Sequence, residues 1–389
     1  MKRALCSIFA LVLAVGVLAG CGGQSSPPPA PPAGDGDVFK IGASGPLTGG
    51  AAIYGNAARN GAQIAVQEIN ALGGIQFDLN YEDDEHNAER AVNAYNRLKD
   101  WGMQMSLGTV TSTPGVAVSV VSNADRIFAL TPSASSPAVT EGFDNVFQMC
   151  FSDPNQGIAS AQYIYDKGLG ERIAVIYKND DVYSTGIYET FVAKANELGL
   201  EIVSTTTFTE DSQVDFSVQL MDASANDADL IFLPMYYTPA SLIFQRARDM
   251  GYSPSYFGVD GMDGILTLEG FDLSLAEGVM LLTPFSADAT DARTQNFVAK
   301  YQETFGEIPN QFAAGGYDAV FAIYEAIIRD GSIAADMSNE EITEKLIAVF
   351  TSFTFNGVTG TDVTWSASGE VSKYPKGMII QDGIYVGMD

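Results

Sequence analysis

The 389-residue chain predicts an α/β fold of two lobes, each a parallel sheet flanked by helices. Three observations predict it. Strand-like and helix-like segments alternate almost without interruption from Phe39 onward, the pattern that lays parallel strands under helices on both faces. About 350 residues follow an N-terminal leader and linker, more than one hydrophobic core usually holds. The alternation also falls into two series, although no sequence repeat relates them.

Each element has its own justification. In the first series "FKIGASGP" is an apolar strand ending in glycine, "AARNGAQIAVQEINALGG" has helical spacing and a glycine stop, and "IQFDLNYEDD" alternates as a strand. "AERAVNAYNRLKDWG" is an amphipathic helix, followed by strand "MQMSLG", a helix from Pro114, strand "RIFALTP" and strand "VFQMCF". The second series opens with helix "NQGIASAQYIYDKGLG" and strand "RIAVIYK". It continues through a helix near 186–199, "EIVSTTTF", a helix near 214–225, "DLIFLP", a helix from Pro239 to Met250, and "SYFGVDG". After "GVMLLTPFS" come helices over Thr294–Thr304 and Gln311–Arg329, a third helix, and short strands in "FNGVTG" and "GMIIQDGIYVG".

The chain begins with Lys2 and Arg3, then an apolar stretch from Ala4 to Leu18, the length of an export signal and too short to span a bilayer. Leu18-Ala19-Gly20-Cys21 resembles the bacterial lipobox, so residues 1–20 are expected to be a cleaved lipoprotein signal and Cys21 a lipid-bearing first residue. Two acyl chains would hold the protein on a membrane without spanning it. Residues 21–37, rich in proline, read as a flexible tether.

Composition narrows the functional classes. Loss of Lys2 and Arg3 with the signal moves the formal net charge from -28 to -30, which argues against nucleic acid as a partner. Of three cysteines only Cys150 remains after the signal and the lipidation site, so no disulfide is expected, and Cys150 reads as a buried small hydrophobe. The one histidine, His86, is expected on a solvated helix face, and Asp83, Asp84 and Glu85 on a charged surface. A single imidazole leaves no candidate zinc site and little basis for Ser-His-Asp or Cys-His catalysis. "GLGERI" precedes its strand, the wrong order for a dinucleotide loop. No enzyme activity, metal or cofactor is expected.

In an open parallel sheet, ligands bind beyond the carboxyl ends of the strands. After "MQMSLG", Ser112 and Thr113 stand before Pro114; after "RIFALTP", Ser133, Ser135 and Ser136 stand before Pro137. Both patterns predict helix starts, whose free N-H groups and positive dipole end can seat a carboxylate, although ordinary capping uses the same residues. The second series offers Tyr183, Tyr236, Tyr237 and Asp260 at its strand ends. Hydroxyl-rich helix starts opposite an acid and aromatic rings suit a zwitterion, with its carboxylate on one side and its ammonium on the other.

The segment "IGASGPLTGGAAIYGNAARNGAQIAVQEINALGGI" resembles the opening of the branched-chain amino-acid binding proteins, type I periplasmic binding proteins of ABC transporters. The similarity continues through "LGTVTSTPGVAV", "ALTPSASSPAVT", "PNQGIASAQYI", "RIAVIYKNDDVYSTG", "DLIFLPMYYTP" and "AAGGYDAV". The resemblance implies two Rossmann-like lobes joined by three hinge crossovers near 153, 284 and 375, with a ligand cleft between them. Lobe 1 would comprise 38–152 plus 285–375, and lobe 2 153–284 plus 376–389. It further implies hinge closure on a ligand, docking on an ABC permease, an extracytoplasmic location and a monomer. By position, Ser112 matches the residue binding the ligand carboxylate through hydroxyl and backbone N-H. Ser133 matches a backbone contact and Ser135 a hydroxyl contact. Tyr183 and Tyr236 match ligand-touching tyrosines, Asp260 the ammonium partner, and Tyr54 and Phe312 the pocket wall. Two departures bear on ligand size: Asp260 stands where many relatives have glutamate, and Thr111 where some have a disulfide cysteine. The expected ligand is a branched-chain or other apolar or aromatic amino acid. The alternatives are another small polar solute (an amide, urea or a carboxylate) or a signalling ectodomain.

Overall fold

The computed structural model describes residues 38–388. The expected signal, Cys21 and the tether lie outside them. Two sheets organise the chain. The first has the order β2-β1-β3-β4-β5, all parallel, formed by β1 (Val38–Gly45), β2 (Gln76–Asp83), β3 (Met105–Ser106), β4 (Phe128–Thr131) and β5 (Val146–Gln148). The second has the order β12-β11-β10-β9-β8-β6-β7. Its strands β6 (Arg172–Lys178), β7 (Glu201–Phe208), β8 (Leu230–Leu233), β9 (Ser255–Gly258) and β10 (Met280–Thr283) are parallel. The hairpin β11 (Lys376–Gln381) and β12 (Ile384–Gly387) adds antiparallel to β10.

Leaving out that hairpin, the second sheet reads 7-6-8-9-10, the same order as 2-1-3-4-5 in the first. The switch points fall between β1 and β3 and between β6 and β8, the places where such sheets open a crevice at their carboxyl ends. This pairing of β1 with β6, β3 with β8 and β4 with β9 was invisible in the sequence because no residue pattern repeats.

The helices between strands are α1 (Ala52–Ala71), α2 (Ala88–Trp101) and α3 (Ser112–Ala124), then α4 (Asp153–Lys167), α5 (Val182–Leu198), α6 (Ser217–Ala225) and α7 (Tyr237–Met250). Three later helices, α8 (Ala292–Phe305), α9 (Gln311–Asp330) and α10 (Asn339–Phe350), return to the first sheet. Lys300 of α8 pairs with Glu68 of α1 at 3.1 Å, and Thr343 of α10 accepts the N-H of Phe128 on β4 at 2.9 Å. Helices α1 and α9 cross closely because Gly61 and Gly316 face each other's backbones. A Cβ at 61 would overlap the Ala313 carbonyl oxygen and one at 316 that of Ala58, so alanine at either forces the helices apart.

The alternation of elements holds throughout, with local corrections. The helix expected from Pro114 starts at Ser112 with Thr111 as its cap. The helix start expected at Pro137 is only a 3-10 turn, Pro137–Val139, so it carries no helical dipole of consequence. "FNGVTG" forms a single bridge, Phe355 with Val363, in place of a strand.

Candidate functional site

One small enclosed cavity gathers the carboxyl ends of both sheets. It is lined by Tyr54, Val110, Thr111, Ser112, Ser133 and Phe312 from the first-sheet side and by Tyr183, Tyr236, Asp260 and Gly261 from the other. Its volume is about 10 Å³, room for a single water. Seven of the eight expected ligand residues therefore meet. Ser135 does not line the cavity; it lies behind Ser112.

Sheet topology explains the convergence. Tyr54 and Tyr183 stand in the first turns of α1 and α5, the helices after β1 and β6. Ser112 and Tyr236 stand at the starts of α3 and α7, after β3 and β8. Ser133 and Asp260 follow β4 and β9. Equivalent ends of two like-ordered sheets thus point at one spot.

On the first-sheet side the groups are neutral. Ser112 Oγ accepts the backbone N-H of Ser135 at 3.1 Å and that of Ser136 at 3.2 Å. Those two bonds occupy its acceptor capacity and leave its own O-H to donate. At the first position of α3 its backbone N-H has no intrahelical partner either. Ser133 Oγ donates to the Val110 carbonyl at 2.5 Å and so fastens its loop to the end of β3.

The opposite side is acidic. Asp260 is buried, and its Oδ1 accepts the Tyr183 hydroxyl at 2.6 Å, while Gly261 N-H donates to the same Tyr183 oxygen at 2.9 Å. Burial pushes the Asp260 carboxyl up to about 6, against the opposing pull of those hydrogen bonds. A Cβ at 261 would crowd the Tyr183 hydroxyl and the Tyr236 ring, which is why this turn takes glycine. Among the described residues no lysine or arginine lines the cavity.

Aromatic rings close the space. Tyr183 and Tyr236 stack with centroids 4.7 Å apart, and Tyr54 packs on Phe312 at 4.3 Å and on Tyr237 at 4.9 Å. Tyr54 bridges the two sides: its hydroxyl donates to the Gly261 carbonyl at 2.5 Å and accepts the Tyr237 N-H at 3.1 Å. Burial first, then neighbouring Tyr237 and the acids Asp260 and Asp263, keeps Tyr54 neutral at any physiological pH. Thr113 Oγ1 donates to Asp181 Oδ1 at 3.1 Å, a second tie between the sides.

Several residues lie where sequence reasoning did not put them. His86 is not on a solvated helix face; it occupies a left-handed turn before α2 (φ 56°), mostly buried, with Nδ1 2.8 Å from Thr111 Oγ1 and its ring edge-on to Tyr236 at 5.5 Å. Burial lowers its pKa, opposed by Asp181. Asp84 is fully buried under Ser44 and raised to about 6 by that burial, not part of a charged surface. Cys150 is buried, and burial pushes its thiol up, which leaves it an inert core side chain. Sequence reasoning missed Asp153 and Gln156, both fully buried on the first turn of α4 behind Asp260. Gln156 accepts the Asp260 N-H at 3.2 Å. In "FSDPNQG" an aspartate before proline carries only the signal of a helix start.

A wider groove of about 210 Å³ beside α1, lined by Asn56, Thr267, Glu307 and Asn310 among others, sits away from the strand ends. Unlike the smaller cavity, it is not lined by any of the eight expected ligand residues. No group of three or more His, Cys, Asp or Glu among the described residues could hold a metal ion, and none of their helices is long and apolar enough to cross a membrane.

Comparison with known proteins agrees with this fold. The family pattern of periplasmic binding proteins matches residues 38–374. The Leu/Ile/Val-binding protein BraC3 of Rhizobium johnstonii is 30% identical over 226 residues, 57% of this chain and 61% of its own length, so this alignment spans about three fifths of that relative. The leucine-, isoleucine-, valine-, threonine- and alanine-binding protein of Pseudomonas aeruginosa is 24% identical over 80% of this chain and 83% of its own. Among solved structures, the leucine-binding protein LivK of Thermotoga maritima superposes with a TM-score of 0.81 at 29% identity, covering 90% of this chain and 98% of its own. LivJ of Streptococcus pneumoniae, solved in complex with isoleucine, gives 0.80 at 27% identity over 90% and 97%. The chain therefore belongs to the periplasmic binding protein family and has the two-lobed type I fold.

Proposed function

We propose that this protein is an extracytoplasmic solute-binding lipoprotein of an ABC importer. It captures a branched-chain or other apolar or aromatic amino acid between its lobes and delivers it to the membrane permease. The observation that carries the reading is the cavity itself, where a neutral donor wall with Ser112 at a helix start faces a buried acid, Asp260, across tyrosine rings. Ser112 O-H and the N-H groups of α3 would hold the carboxylate, Asp260 the ammonium, and Tyr54, Tyr183, Tyr236 and Phe312 the side chain. Ser135 would act through Ser112, whose hydroxyl its backbone orients.

A volume of about 10 Å³ admits no amino acid, so the two sides must part for entry and close afterwards. The Tyr54 bridge and the Thr113–Asp181 bond would form at closure. In this reading the lobes are 38–152 plus 285–375 and 153–284 plus 376–389, Cys21 carries the lipid, and the monomer reaches its permease from the tether. The Leu/Ile/Val-binding names of the relatives support the ligand class. Calorimetric titration with the twenty amino acids tests it: heat from at least one aliphatic or aromatic member is expected, and silence from all twenty refutes amino-acid capture.

A further inference from the structure

Asp153 is 0% exposed, and neither carboxylate oxygen has a partner in hydrogen-bonding geometry. The contrast with Asp260 is direct. The Asp260 carboxyl accepts the Tyr183 hydroxyl, and Gln156 accepts its backbone N-H. Asp153 has only the Ser135 hydroxyl beside it, and the Nε2 of Gln156, one helical turn on, is unpartnered as well. The groups facing Asp153 are Asp260 after β9, Asp181 at the start of α5, the Tyr236 hydroxyl at the start of α7 and the Cys150 thiol; Gly186 of α5 packs against its side chain. None of these brings positive charge. Lys373, which faces Cys150, bonds Thr359 and faces Asp318 as well.

Two buried carboxyl groups that sense each other in an apolar setting cannot both ionise without a cation, and the proton goes to the one with fewer donors. Burial first, then Asp260 and Asp181, holds the Asp153 carboxyl well above its usual range. We propose that Asp153 bears a proton that an ammonium-bearing ligand expels on binding, so that capture of an amino acid releases about one proton near neutral pH. The exchange balances: Asp153-COOH, the Asp260 carboxylate and the ligand's R-NH3+ become two carboxylates sharing the one ammonium, which touches Asp260, and the proton of Asp153 leaves to solvent. Affinity then falls as pH drops. The inference rests on the amino-acid reading above and adds to it a second acid and a charge requirement for the ligand.

The proton is tested first without ligand. Infrared spectra of the purified protein at neutral pH should show a protonated-carboxyl band that Asp153→Asn lacks; identical spectra overturn the proposal. L-Leucine is then titrated calorimetrically in phosphate and in Tris at one pH, buffers of different ionisation enthalpy. The heats should differ by the ionisation of about one buffer molecule per leucine bound. That difference should vanish in Asp153→Asn and return in Asp153→Glu. Equal heats in the two buffers for the unmodified protein overturn the proposal. So does an Asp153→Asn variant that melts earlier yet keeps the buffer dependence, the result a purely structural role would produce. Should leucine and the other amino acids give no heat, the amino-acid reading falls while the infrared result still decides where the proton sits.

Discussion

The two sheets have the same strand order and place their site residues at equivalent strand ends, yet the chemistry at those ends is opposite. After β3 and β4 stand Ser112 and Ser133, neutral and hydroxylic; after β8 and β9 stand Tyr236 and Asp260, aromatic and acidic. Only the first position, Tyr54 after β1 and Tyr183 after β6, is alike on both sides. Topology decides where a site forms, while the residue at each loop decides which end of a ligand it accepts. A donor wall opposite an acid wall is the arrangement a zwitterion needs, and a ligand with one charge would satisfy only half of it.

The sharpest way to break the comparison is Asp260→Ala. Removing the acid leaves a buried ammonium without a counter-charge, and a loss of about 3 kcal/mol in amino-acid affinity is expected by calorimetry. Unchanged affinity would mean that the acid wall is structural. Tyr54→Phe deprives the Gly261 carbonyl of its donor and the Tyr237 N-H of its acceptor. Closure should weaken by about 2 kcal/mol, read as lost affinity together with a larger radius of gyration in ligand-saturated solution. Ser112→Ala removes one donor from the neutral wall and strands the N-H groups of Ser135 and Ser136, for about 1–2 kcal/mol of affinity. Thr113→Ala cuts a tie at the edge of the cleft and should cost about 0.5–1 kcal/mol, with no change in ligand preference.

The same contrast has a pH signature. Asp260 and Asp263 are raised by burial to about 6, so the folded protein holds protons that the unfolded chain has lost above about 4. Their contribution to stability is full below about 4 and fades as pH rises through about 6. Thermal melts of the ligand-free protein should therefore show Asp263→Asn losing less stability than the unmodified protein between those limits. Parallel curves would show that these acids are already ionised in the fold.

How far the sequence revealed the site differs from residue to residue. Ser112, Tyr236 and Asp260 sit in the segments that follow apolar strands, and the rule that loops at carboxyl ends carry ligands suffices to nominate them. Tyr54 and Phe312 needed a family resemblance, since a tyrosine or phenylalanine in an amphipathic helix looks like core. His86 misled because three acids before it and a helix after it read as solvated surface; two consecutive left-handed residues, Glu85 and His86, turn it inward instead. Ser135 was expected at the ligand, but the chain after β4 makes only a 3-10 turn and spends that serine on Ser112 and Asp153.

Alternating apolar periods, glycine stops and capping residues are local properties, so the sequence alone determined the order of elements, the parallel sheets and the acidic, histidine-poor chemistry. Tertiary structure decided three things: the matching strand order of the two sheets, the return of α8, α9 and α10 to the first of them, and the meeting of Asp153 with Asp260. Those depend on contacts between residues far apart in the chain, and burial acts on charge only after such contacts have excluded water.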